Sequence, residues 1–389
     1  MKDANRKIAA YIGNWGRPSP DGLGISLCYF NPENGELLLQ ERALPEVHTG
    51  HICIDPSRNV LYCADEQRTN PDFIHFGGGR VFAAAIGLGG RLTELNHEYS
   101  FAPQPSYVTV DQSRKYLVLT NHSGGDPITV AERDASGKYV PVLHYSDASI
   151  VLYALKDNGE IGEVLDIFKV EGHGVLPKQP MPFLHSVVQS KNTGLFFVCD
   201  KGCNKVYAFR IRGGKLEKCG EYTDTAGSSP RYSLIVESKN LLILNHEGTS
   251  EITTLRFDQN GNMEFADSVD SLPGVVSPEK KEASDIKMSR DGKRIYNISR
   301  GVNIVSVLEF DDTGRIQVKQ LRHFEATTFC GGGARGCALS PDEKYFYICV
   351  ADDGDVHRFD IREDGTLGET DTVMNFGNPS NITFYPDIP

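Results

Sequence analysis

The chain has 389 residues, of which 52 are acidic and 40 basic, for a formal net charge of −12. With no basic block to offset that charge, neither a nucleic acid nor an acidic membrane surface is an expected partner. There is no run of about 18 apolar residues to span a bilayer, and MKDANRKIAAYIGNW lacks the apolar core of a secretory signal, so a cytoplasmic location is expected.

Taken from the N-terminus, one signal recurs seven times: an apolar strand runs into a turn whose glycine is followed, two residues on, by an aliphatic residue. The copies begin with LCYFNPENGEL and end with HRFDIREDGTL, and their glycines are Gly35, Gly90, Gly159, Gly214, Gly261, Gly314 and Gly365. Asn-Gly, Gly-Gly and Asp-Gly supply the positive φ of tight hairpins, so each copy predicts two antiparallel outer strands. Spacings of about 45 to 70 residues suit propeller blades with loops.

A second hairpin alternates with the first, in TGHICIDPSRNVLYCADE, PSYVTVDQSRKYLVLTNH, LHSVVQSKNTGLFFVCDK, PRYSLIVESKNLLILNHE, ASDIKMSRDGKRIYNISR and ARGCALSPDEKYFYICVA. The seventh copy, PSNITFYPD, has no second strand, and the N-terminal AAYIGNW is its missing partner. The expected fold is therefore all-β. It is a single seven-bladed propeller over 1–389, with four-stranded antiparallel blades and a closing blade from about 7–44 plus 379–386. The longest departure, Asn121 to Leu184, holds an extra hairpin-like piece, DPITVAERDASGKYVPVL, and the loop VEGHGVLPKQPMPFL; LPGVVSPEKKEAS is a shorter candidate wall. Nine cysteines without zinc-like pairing read as free thiols.

Aligned on their turns, the inner hairpins have two equivalent slots. The first strand is entered at Gly50, Ser106, His185, Arg231, Ser284, Arg335 and Ser380. Sixteen residues later stand Glu66, His122, Lys201, Glu247, Arg300 and Ala351, with Trp15 as the counterpart at the closure. Innermost strands line the channel of a propeller, so both slots converge on its mouth. The alignment predicts a catalytic core of His185, Arg231, Glu247 and Arg300, with Arg335, His122 and Glu66 as substrate-binding residues at the rim.

Clustered arginines imply an anionic ligand, because their planar forks match carboxylate or phosphate. A His and a Glu beside them supply a group titrating near neutrality and a carboxylate to orient it or accept a proton. That set suits lactone opening by water, or the near reverse, closing a lactone from an unsaturated acid. The bland readings are a surface hydrogen-bonder for any one of these residues and a plain hairpin salt bridge for Arg231 with Glu247. HFGGGR at 75–80 and CGGGARG read as approaches to hairpins, and no Gly-x-Ser-x-Gly is present. Two carboxylates are too few for a calcium or zinc site, so no metal or cofactor is expected.

These same stretches, with His185, SPRYSLIV, NHEG, SDIKMSRDGKRIYNISRG and ARGCALSPDEKYFYI, resemble the lactonase family of seven-bladed propellers. That family includes propeller-type 6-phosphogluconolactonases and 3-carboxy-cis,cis-muconate cyclase. The resemblance runs nearly end to end and implies that His185, Arg231, Glu247 and Arg300 form the active site. It implies a small anionic lactone as substrate, 6-phosphogluconolactone first and a muconate-type cycloisomerisation second. A non-catalytic binding module is the reading from another class, and a monomer or weak homo-oligomer is expected. Two positions depart from the family pattern: Phe183 stands where many members carry a second His, and His122 where a tyrosine commonly follows Asn.

Overall fold

Glycine turns of the predicted kind join the outer strands of six of the seven blades. Gly35, Gly90, Gly159, Gly214, Gly261 and Gly365 all have φ between 70° and 90°, a region closed to most side chains; the seventh, Gly314, lies outside the described residues. The computed structural model describes residues 7–16, 23–68, 78–124, 127–277, 281–311, 315–327 and 333–385.

Seven four-stranded antiparallel sheets form the propeller. The first blade comprises Thr49–Asp55, Val60–Asp65, Arg80–Ile86 and Leu92–Tyr99, and the second Pro105–Val110, Tyr116–Asn121, Ala148–Leu155 and Ile161–Val170. The third and fourth run from Leu184–Gln189 to Lys215–Thr223 and from Pro230–Val236 to Met263–Asp270; the fifth and sixth end on Ile316–His323 and Leu367–Asn375. The seventh takes strands from both ends of the sequence, in the order Leu37–Ala43, Gly24–Phe30, Ile8–Asn14, Pro379–Tyr385. Its seam pairs Ala9 with Tyr385 and Asn14 with Pro379; residue 386, expected in it, is outside the described residues.

Apolar packing runs between blades rather than within them. Each buried cluster joins side chains of two neighbours, as where Phe196 and Phe209 of the third blade meet Ile150 and Leu152 of the second. The ring continues through the seam, with Tyr385 packing toward the first blade and Ile382 toward the sixth. A repeated polar pin adds to it. The hydroxyls of Tyr11, Tyr62, Tyr296 and Tyr347 donate to the carbonyls of Gly90, Gly159, Gly365 and Gly35, at 2.6–2.9 Å. A turn glycine thus serves twice, as the residue that allows the turn and as the acceptor that ties it to the next blade.

The insertion after His122 folds as a separate hairpin, Ile128–Arg133 with Tyr139–His144, and 171–183 has no regular structure. Of HFGGGR, CGGGARG and LPGVVSPEKKEAS, residues 75–77, 330–332 and 278–280 lie outside the described residues. All eight described cysteines are free, and six are buried. Among the described residues no helix is long and apolar enough to cross a membrane.

Candidate active site

The first slot is a β-bulge in every inner hairpin. Pairing skips Arg231 between Pro230 and Tyr232, and likewise Gly50, Ser106, Arg335 and Ser380. In the third and fifth blades it skips His185 with Ser186 and Ser284 with Asp285. A bulged residue leaves the ladder and re-aims its side chain. The second slot is tied to the first by a repeated backbone bond. The N–H of Glu66, His122, Lys201, Glu247, Ala351 and Trp15 donates to the carbonyl two residues before the first slot, at 2.7–3.0 Å. The repeat therefore fixes the slots, and the side chain alone varies.

The serine slots are structural. Ser106 Oγ donates to the carbonyls of Leu184 and His185, Ser284 Oγ to Ala334, and Ser380 Oγ to Thr49, each on the next inner strand. The charged slots converge. Glu247 Oε2 lies 2.9 Å from Arg231 Nε, 3.1 Å from Arg300 Nη2 and 2.9 Å from Lys201 Nζ. Arg300 also pairs with Glu282 at 3.2 Å, and Arg231 donates to the Ser284 carbonyl. Arg335 pairs with Glu66 at 3.0 Å over the face of Trp15.

His185 completes the cluster. It is buried, its ring lies 4.9 Å from that of Tyr232 and 6.2 Å from that of His122, and its Nδ1 has no hydrogen-bond partner among the described residues. His122 stacks on Phe183 at 4.7 Å, so the two departures from the family pattern touch each other. Tyr232 is the floor of the mouth; beneath it a channel cavity of about 330 Å³ is lined by His51, Tyr107, Asp285 and Lys287 among others.

All seven predicted residues lie at this mouth: His185, Arg231, Glu247 and Arg300 at the centre, His122 beside His185, and Arg335 with Glu66 as a separate pair. Two residues were missed. Lys201 stood in the second slot of the alignment but was not singled out, although it is the third cation on Glu247. Glu282 lies two residues before a slot serine, and only its pairing opposite Arg300 reveals it.

Burial and charge together set the protonation of the cluster. Burial alone would raise Glu247, but Lys201, Arg300 and Arg231 outweigh it and hold the carboxyl well below the usual range. Burial, followed by the charges of Arg231 and Lys201, holds His185 well below an ordinary histidine. Burial and Lys201 lower His122 to about 3, and burial and Lys287 lower His51 to about 3.

These shifts have a consequence for stability. A histidine neutral in the folded state and protonated in the unfolded one contributes nothing adverse above pH ~6.5 but costs up to about 1.4 kcal/mol per pH unit below it. We expect the melting temperature to fall from pH 7 to pH 5. His122→Phe, which keeps the stack on Phe183, should fall less steeply. Identical slopes for the two proteins in calorimetry would refute the account.

Nearly the whole chain matches known proteins. Residues 9–137 and 123–384 match the family described as Lactonase, 7-bladed beta-propeller. Among curated relatives, a 6-phosphogluconolactonase of Bacillus subtilis is 19% identical over 98% of this chain and 99% of its own. One of Formosa agariphila is 21% identical over 87% and 88%. Among solved structures, a putative 6-phosphogluconolactonase of Bacteroides fragilis superposes with a TM-score of 0.80 at 20% identity, covering 99% of both chains. The periplasmic gluconolactonase PpgL of Pseudomonas aeruginosa does so with 0.83 at 18%, covering 98% and 100%.

Proposed function

The chain belongs to the seven-bladed β-propeller lactonase family, and we propose that it opens an anionic sugar-acid lactone with water, 6-phosphogluconolactone being the first candidate. The observation that carries this is the shared carboxylate: Glu247 gathers Lys201, Arg231 and Arg300 beside a histidine whose Nδ1 has no partner among the described residues. Lys201, Arg231, Arg300 and Arg335 against Glu247, Glu282 and Glu66 leave one positive charge in excess, which suits an anionic ligand.

In this reading the arginines hold the anionic group and the oxygen that gains charge as water attacks the acyl carbon. Neutral His185 takes the proton of that water. Glu247, kept ionised by three cations, orients them and is a poor proton carrier. The sequence suggested that it shares the proton work with His185; its ion pairs favour an orienting role instead. A cytoplasmic working location is part of this proposal; separately, among the described residues no helix is long and apolar enough to cross a membrane.

The test is the rate of 6-phosphogluconolactone opening by purified protein, corrected for spontaneous hydrolysis. Wild type should accelerate it, and Arg300→Ala should lose about 100-fold or more in kcat, the scale of one lost oxyanion donor. No acceleration by wild type would exclude this substrate. Activity on a carboxymuconate in its place would favour the cycloisomerase.

A further inference from the structure

Lys201 helps keep Glu247 ionised but moves no proton in the hydrolysis by the arginines, Glu247 and His185. Lys201 follows the strand Phe196–Asp200 and is held by a rigid turn. Its N–H donates to the Phe183 carbonyl at 3.0 Å, and its carbonyl accepts from Gln179 Nε2 at 2.7 Å. Asp200 Oδ1, buried, accepts the N–H groups of Phe183, Gly202 and Cys203. At Gly202 the backbone passes so close to Met181 that a Cβ would lie 1.9 Å from its carbonyl oxygen. The side chain leaves this turn for the mouth and ends 2.9 Å from Glu247 Oε2, with 14% of its surface exposed.

Proton transfer narrows the choice of acid. Arginine does not release its proton in proteins. Glu247 is ionised and has none to give. His185 is neutral, and in this scheme it receives the proton of the attacking water. Burial pushes the ammonium of Lys201 down to about 8, with Glu247 opposing and Arg231 and Arg300 assisting. A cluster holding one neutral base and one cationic acid, both moved from their ordinary ranges, is the pattern expected of an acid–base pair.

We propose that Lys201 is the general acid of ring opening, donating its proton to the ring oxygen as the acyl C–O bond breaks. The proposal rests on the lactone-opening reading. The water oxygen bonds to the acyl carbon while His185 takes one of its protons. The electron pair of the breaking bond goes to the ring oxygen, which Lys201 protonates to a hydroxyl. The proton on His185 then returns to Lys201, and the new carboxylic acid releases its own proton to solvent.

Lys201→Arg tests this, because arginine keeps the charge beside Glu247 but cannot give up a proton. On a lactone with an alkoxide leaving group, 6-phosphogluconolactone or δ-gluconolactone, kcat should fall about 100-fold with KM little changed. On dihydrocoumarin, whose phenolate leaves without protonation, the deficit should shrink to about threefold or less. Wild-type kcat should decline above about pH 8, and that limb should vanish in the variant. Equal losses on both lactone classes, or wild-type kcat in Lys201→Arg, would overturn the assignment while leaving the reaction standing. A wild type that opens no lactone overturns the reaction reading, and the assignment with it.

Discussion

Glu247→Gln should lose about a thousandfold in kcat and about 3–5 kcal/mol of stability together. The two losses have one cause. Glu247 Oε2 lies within 3.1 Å of a cationic nitrogen of each of Lys201, Arg231 and Arg300, and all four side chains are at least 85% buried. A neutral amide leaves three buried cations facing one another, with Glu282 paired to Arg300, at about 4 kcal/mol for a pair 4 Å apart at an effective dielectric of about 20. At about 2.1 cal/mol/K per residue, that destabilisation lowers the melting temperature by about 4–6 °C, so most of the protein stays folded at assay temperature. Inorganic phosphate should restore part of the loss in melting temperature, and more in the variant than in wild type, because an anion replaces the missing carboxylate. Arg231→Ala makes the contrast: Glu247 keeps Lys201 and Arg300, so activity falls with little change in stability. Wild-type kcat/KM in Glu247→Gln would remove Glu247 from the site.

The fold was legible because its signals are local and repeated. Asn-Gly and Asp-Gly turns announce hairpins, and seven copies announce a ring. The slots were legible for the same reason, since equal spacing in equivalent hairpins delivers side chains to equivalent places. What decides among the slots is contact between blades, and no local pattern carries it. Ser106, Ser284 and Ser380 occupy the same position as His185 and Arg231, yet their hydroxyls are used on neighbouring strands. Lys201 could have been read from the alignment, since it shares a slot with Glu247. Its neighbour-dependent acidity could not, because Arg231 and Arg300 reach it from two other blades. The bulge that frees each first slot is likewise invisible in residues as different as glycine, serine, histidine and arginine.

Removing residues 379–389 should abolish the cooperative fold. The strand Pro379–Tyr385 closes the ring, and its side chains belong to two neighbours at once. Ile382 packs with Ala10, Tyr347 and Phe376, while Tyr385 packs with Ile52 and Leu61. Ser380 Oγ holds the Thr49 carbonyl at 2.6 Å. Burial of Ile382 and Tyr385 is worth about 3–6 kcal/mol at the usual scale, with Phe384 partly covered besides, against a total stability of about 5–15 kcal/mol. The loss also exposes the unpaired edge of Ile8–Asn14, which invites association. Thermal unfolding followed by circular dichroism should therefore broaden and shift far down, and lactone opening should cease, because Arg335 and Glu66 face each other across the seam. Adding the peptide PSNITFYPDIP in trans should restore both by supplying the missing strand. A truncated chain that melts within a few degrees of the intact one would show that the blades stand without closure. The site would then owe its geometry to the bulged inner hairpins of the third to fifth blades alone.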